Sequence, residues 1–208
     1  MEQEFNKQYE NPDPWREAIL AERKYSGHEP MLVNALNDYG GKRDNALILG
    51  DASLVQAEYL LEKKNFIHII DVDVSPTLLD DEIIQKDDTR LERIVLPFDQ
   101  YDPSGEKFDL IYGKSIAFNP KETIQKVLQG LSESLNEEGI FFATWGAEGD
   151  SYRHGIFYSL EEINNLYSNA NLEIIENRET DKPVRGLLGH PGRAHRFDVL
   201  AKKRTSDL

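Results

Sequence analysis

The chain has 208 residues, a formal net charge of −14 and an ordinary globular hydrophobic fraction of 39%. A fold this acidic repels phosphate backbones and anionic lipid heads, so neither nucleic acid nor a membrane surface is expected as a partner. It has no cysteine, which excludes disulfide scaffolds, zinc–thiolate sites and cysteine nucleophiles.

The opening "MEQEFNKQYENPDPW" is polar and acidic, and nothing approaches the roughly 20 apolar residues of a membrane helix. One soluble, cytoplasmic domain is the expectation. The basic residues Arg185, Arg193, Arg196, Lys202, Lys203 and Arg204 read as a solvated edge.

Two helices come first. Asp13 can cap one, with Pro14 at its first position and Trp15, Ile19 and Leu20 on one side. The next starts near Glu29-Pro30 and stops at Gly40-Gly41. "NALILG" is then a short apolar run of the kind a strand buried on both faces shows. Ser53 and Gln56 have the spacing of a capping box, opening a helix through Leu54, Ala57, Leu60 and Leu61. "NFIHIIDVDV" is a second strand, with His68 expected in the core, and "SPTLLDDEIIQK" is helix-like. "RLERIVL" and "KFDLIYG" are the third and fourth strands.

Asn119-Pro120 starts an amphipathic helix carrying Ile124, Val127, Leu128, Leu131 and Leu135, ended by "NEEG". "GIFFATW" is the fifth strand, and Ser159 with Glu162 forms a second capping box. "NLEIIENRE" and "HRFDVLAKK" follow with no helix between them, which predicts an antiparallel pair at the sheet edge. Such alternation means a doubly wound, mostly parallel seven-stranded sheet with helices on both faces and an antiparallel last strand. Sheets of this kind bind ligands beyond the carboxyl ends of their strands.

In order, "ALILGDAS", "IIDVDVSP", "LPFDQYDPSGEKFDLIYG", "LNEEGIFFATWG", "FYSLEEINNLYSNANLEIIE" and "HRFDVLAKK" resemble the motifs of the class I S-adenosylmethionine-dependent methyltransferases, over roughly residues 45–204. The resemblance implies a Rossmann-like domain over 45–208. It also implies that residues 1–44 form a helical lid, with Trp15 and Tyr25 closing over S-adenosylmethionine. Two glycine positions of the first motif read Ala52 and Leu54, and its acid position reads Ile48.

The resemblance places the cofactor against Gly50, Asp51, Ala52, Asp73, Asp99, Gln100 and Gly113. An acid ending the second strand can accept both ribose hydroxyls, and Asp73 or Asp71 fits. Asp51 opposes the pyrophosphate of a dinucleotide but tolerates a cationic cofactor. It is expected either to face the ammonium in place of the acid missing at Ile48, or to point to water from its turn. Asp99 and Gln100 fall where the adenine would lie, and Gly113 would admit a ligand close to the backbone. Tyr112, His154 and His195 are the weak candidates on the acceptor side, and no metal is expected. The acceptor is expected to be a small molecule. Two rivals stay open: a degenerate module that binds a nucleoside or a protein partner, and a nicotinamide-dependent oxidoreductase.

Overall fold

The computed structural model describes residues 13–25, 28–75, 88–119, 121–151, 156–185 and 191–204. Helices α1 (Asp13–Tyr25) and α2 (Pro30–Asp38) precede β1 (Asn45–Leu49), α3 (Val55–Lys63) and β2 (His68–Asp73). Then come β3 (Leu91–Val95), β4 (Phe108–Gly113), a 3-10 turn at Ile116–Phe118, and α4 (Lys121–Ser134). β5 (Leu135–Gly146), α5 (Leu160–Asn169), β6 (Leu172–Arg185) and β7 (Pro191–Lys203) complete the chain.

One seven-stranded sheet has the order β3-β2-β1-β4-β5-β7-β6. Pairs from β3 through β5 are parallel, and β7 is antiparallel to both β5 and β6. The expected closing hairpin is therefore present, with β7 inserted between β5 and the edge strand β6. The order reverses at β1, whose two neighbours are β2 and β4, so β1 is the switch point where an open sheet forms its crevice.

Alternation along the strands divides the core. One face packs Leu47, Leu49, Ile111, Phe141 and Trp145 against Ile124, Leu128 and Leu131 of α4 and Ile163 and Tyr167 of α5. The other packs Ala46, Ile48, Ile69, Tyr112 and Phe142 against Met31, Leu32 and Leu36 of α2 and Ala57, Leu60 and Leu61 of α3. Parallel strands bury both faces, which is why β1 and β2 read as apolar runs. Asparagines in left-handed backbone, Asn65 at φ 59° and Asn171 at φ 57°, end α3 and α5.

Several local expectations need correction. Ser53 does not cap α3, because Asp51, two residues earlier, reaches the same amides; the helix enters through Leu54 instead. Leu135 belongs to β5 and pairs with Phe108, so α4 stops at Ser134 and the strand begins without a turn. His68 opens β2 half-exposed and lies 3.9 Å from Glu92, so it is not a core residue. Asn119 spends its carboxamide on the Ile116 carbonyl of the 3-10 turn. Ser159 and Glu162 do form the second capping box. The helix expected over "SPTLLDDEIIQK" lies outside the described residues beyond Ser75, as do Pro120 and the side chains of Asp13, Pro14, Trp15 and Tyr25.

Candidate functional site

The turn after β1 is built from inside. Gly50 adopts φ +93°, and a Cβ there would lie 2.3 Å from Ser115 Cβ. Its glycine is thus demanded by the backbone and by the loop after β4, where Ser115 Oγ bonds the Gly50 carbonyl at 3.3 Å. Asp51 is wholly buried. Its Oδ2 accepts the Gln56 amide at 2.7 Å and the Ala57 amide at 3.4 Å, while Oδ1 accepts the Ser53 hydroxyl at 2.7 Å. Lys114 Nζ donates to that same Oδ1 at 3.3 Å. Both oxygens are engaged, so Asp51 is a helix cap with its own counter-ion rather than a carboxylate pointing to water.

Asp73 ends β2 beside this turn. Its Oδ2 accepts the Ala52 amide at 3.2 Å and its Oδ1 the Ser75 amide at 2.7 Å. Each oxygen keeps a second lone pair for another donor. Burial pushes the carboxyl up to about 6; the two amide bonds and Lys114 oppose this, and Asp51 adds to it.

Asp71 lies one level deeper in β2. It pairs with Ile48 of β1, which pairs in turn with Tyr112 of β4. It is fully buried, and neither carboxylate oxygen has a hydrogen-bond partner. Burial holds its pKa well above the usual carboxylate range, with Asp51 and Asp73 pushing the same way. Lys114 and the nearby Asp51 amide pull against them. Three carboxyls thus converge here, and Lys114 acts on all three.

Helices α1 and α2 wall this region. Arg23 of α1 donates to the Ser53 carbonyl at 2.9 Å and to Glu58 at 2.6 Å. Glu29, at the start of α2, meets Arg196 of β7 at 3.1 Å. Fully buried Asp198 accepts from Thr144 at 3.1 Å and Arg178 at 3.0 Å, with Arg196 Nε at 3.5 Å. Burial raises the Glu29 carboxyl, against the pull of Arg196.

The remaining sequence candidates scatter around this centre. Asp99 and Gln100 are exposed in the turn after β3, at the same end of the sheet. Tyr112 is buried and stacked on Phe142 at 5.6 Å, beside Ile48. Gly113 leaves room for Ile116 Cγ2, which an added Cβ would meet at 2.9 Å, so its bareness serves packing on the α4–α5 face. His195 lies within β7 rather than before it. Its ring contacts the Glu148 carbonyl at 2.6 Å and Glu179 Oε1 at 2.8 Å, and both contacts raise its pKa. His154 lies outside the described residues.

The basic cluster at the C-terminal end is dispersed into separate contacts. Arg193 grips Asp181 with two bonds of 2.6 Å, Lys202 faces Glu173 at 3.9 Å, and Arg204 bonds Ser168. Among the described residues no group of histidines and acids is arranged to hold a metal. No helix among them is long and apolar enough to cross a membrane.

Sequence reasoning misses Lys114 and Asp198, and it reads Glu29 only as a helix start and Arg196 only as part of a solvated edge. A lysine one residue after a strand carries no motif. The Glu29–Arg196 pair joins residues 167 apart in the chain, which only the sheet order brings together.

No protein-family model matches the chain, and no curated protein does. Solved structures do. A chain in the complex between the Haloferax volcanii Trm112 methyltransferase activator and a methyltransferase superposes with a TM-score of 0.73 at 15% identity, over 96% of this chain and 99% of that one. TehB of Haemophilus influenzae gives 0.69 at 15% identity, over 90% and 67%. The N-methyltransferase NodS of Bradyrhizobium japonicum, in complex with S-adenosylhomocysteine, gives 0.63 at 13%, over 91% and 100%. At such identities the likeness is one of fold, and it agrees with the sheet order and the reversed β7. The chain has the Rossmann-like fold of the class I S-adenosylmethionine-dependent methyltransferases.

Proposed function

We propose that this protein is an S-adenosylmethionine-dependent methyltransferase acting on a small-molecule acceptor. The observation that carries the reading is Asp73, which ends β2 beside the Gly50–Ala52 turn and keeps lone pairs for two further donors. The donor set fits the cofactor. Three carboxyls answered by one lysine leave an acidic crevice, which suits an ammonium and a sulfonium and repels a pyrophosphate. That counts against the nicotinamide alternative.

In this reading Asp73 accepts the two ribose hydroxyls, and Asp99 and Gln100 meet the adenine edge. The Gly50 and Ala52 backbone lines the turn, while Asp51 and Gly113 shape it from behind. Arg23 and Glu29 seat α1 and α2 as a lid over the crevice. Bound S-adenosylmethionine would supply an electrophilic methyl group, passing in line to the acceptor as its S–CH3 bond breaks and S-adenosylhomocysteine leaves as the neutral thioether. The chain's contribution is mainly alignment, worth several kcal/mol of the barrier. A base is required only where the acceptor must lose a proton. Tyr112, His154 and His195 are the proposed acceptor-side groups. With its pKa raised and both ring nitrogens engaged by Glu179 and the Glu148 carbonyl, His195 is poorly suited to taking a proton.

One observation favours a second reading, a nucleoside- or partner-binding module without methyl transfer. The β1 turn is already satisfied by Asp51, Ser115 and Lys114 and needs no ligand to stand. Calorimetric titration with S-adenosylmethionine, S-adenosylhomocysteine and NADH separates the readings. Micromolar binding of the first two, with NADH silent, supports the methyltransferase. Silence from all three in a folded protein sinks it and favours the module.

A further inference from the structure

The least satisfied group in the described core is Asp71. Its neighbours Asp51 and Asp73 spend their oxygens on backbone amides, a hydroxyl and Lys114, whereas neither oxygen of Asp71 makes a well-formed hydrogen bond, the Asp51 amide only lying near it. Neither of two neighbouring cations pairs with it. Lys114 donates to Asp51, and Arg93, its register partner on β3, makes no ion pair with it. A buried carboxylate so poorly paired is costly, and two acids facing it add to that cost. Replacing Asp71 with an apolar residue like its register neighbour Ile48 would remove the whole penalty. Such an unfavourable group persists where a ligand completes it.

The surrounding charges define the class of ligand. Asp51 and Asp73 exclude an anion, and no group of described residues is arranged as a metal site. What remains is an organic cation. We propose that Asp71 is the anchoring carboxylate for the cationic end of the bound nucleoside, contributed by β2 at the level of Ile48 on β1. This rests on the methyltransferase reading above and adds to it the residue that selects an amino-acid-bearing nucleoside over a bare one. Asp73 holds the sugar one level nearer solvent, and Asp71 holds the ammonium beneath it. Asp71 is a binding and positioning residue with no part in bond making.

The test crosses two proteins with two ligands. Wild type and Asp71→Asn are titrated with S-adenosylhomocysteine, which carries the ammonium, and with 5′-methylthioadenosine, which shares the adenosine and thioether but has no cationic end. The expected result is a loss of about tenfold or more for S-adenosylhomocysteine, with methylthioadenosine changed by less than about threefold. An equal loss for both ligands, or for neither, overturns the assignment and leaves the methyltransferase reading standing. Failure of the wild type to bind either ligand overturns that reading, and this one with it. A melting curve accompanies each variant. The Asn variant is expected to melt at or above wild type, because it removes a buried acid from beside two others. Should it fail to fold, Asp71→Ser takes its place, and failure of both would make Asp71 structural and overturn the proposal.

Discussion

Lys114, on the loop after β4, places its ammonium 3.3 Å from Oδ1 of Asp51, the fully buried carboxylate that caps α3. The contact ties the carboxyl ends of β4 and β1 together across the crevice. It also explains how three acids coexist there, since Lys114 lowers the pKa of both Asp71 and Asp73.

Lys114→Met keeps the apolar stem and deletes this cation. Removing one partner of a buried pair costs on the order of 3–5 kcal/mol. The amides of Gln56 and Ala57 still hold Asp51, so the lower end, about 3 kcal/mol, is expected in urea unfolding. Adding Asp51→Asn should recover part of the loss. A single variant within about 0.5 kcal/mol of wild type would show the pair to be dispensable.

The β1 turn sets backbone strain against burial at two residues. Gly50→Ala puts a Cβ into Ser115 at φ +93° and is expected to destabilise by more than about 2 kcal/mol. Ser115→Gly in the same chain should restore part of that, leaving the backbone cost, a 3.1 Å contact with the residue 115 amide nitrogen and the lost Ser115 hydroxyl bond. Leu54 is left-handed at φ 59° and buried at 2% exposure. A glycine there would relieve about 1–2 kcal/mol of strain but forfeit about 2–3 kcal/mol of burial. Leu54→Gly is thus expected to be mildly destabilising, and a gain in melting temperature would refute that balance.

Where the fold was legible in the sequence, the signal was local. The apolar runs of β1 and β2, the 3.6 period of α4 and the Ser159–Glu162 box each lie within a dozen residues, and each stands in the structure. The site was legible only in outline. A place at the strand end points to Asp73 and Asp71 alike, and only the register of β1 on β2 shows that Asp71 lies level with Ile48. Ser53 has the spacing of a capping box, but spacing does not report the backbone of the turn. A left-handed Leu54 instead turns the chain so that the earlier acid reaches the helix amides. Lys114 and Arg196 act through contacts 63 and 167 residues away in the chain, which no periodicity reports.

His195 offers a check on the β7 side of the site, just past the carboxyl end of β5. Glu179 and the Glu148 carbonyl raise its pKa above the usual 6.5. A raised histidine contributes stability below its unfolded value, and this is lost as pH rises through the folded value. Ring-proton NMR should show His195 titrating above 6.5, and Glu179→Gln should bring it back towards that value. An unmoved titration in the variant would mean that the 2.8 Å contact does not set the charge.

Asp73 should make stability and affinity respond to pH in opposite directions. Its folded pKa is raised from 3.8 to about 6, by burial first. Between those values the folded state keeps a proton that the unfolded chain has lost, so stability falls as pH rises from about 4 to about 6 and then levels off. A shift of this size corresponds to about 3 kcal/mol across the window. Asp71, raised in the same direction, adds to the fall. The ionised carboxylate is the form that accepts two ribose hydroxyls, so affinity for S-adenosylhomocysteine should rise over the same interval. Asp73→Asn cannot ionise, which reduces the fall in stability and removes this residue's share of the rise in affinity. At pH 8 it should bind at least about tenfold more weakly than wild type. Thermal melts and titrations at pH 4.5, 6 and 8 read both quantities. If the wild-type affinity stays flat while its stability falls, Asp73 is a buried structural acid and the ribose lies elsewhere.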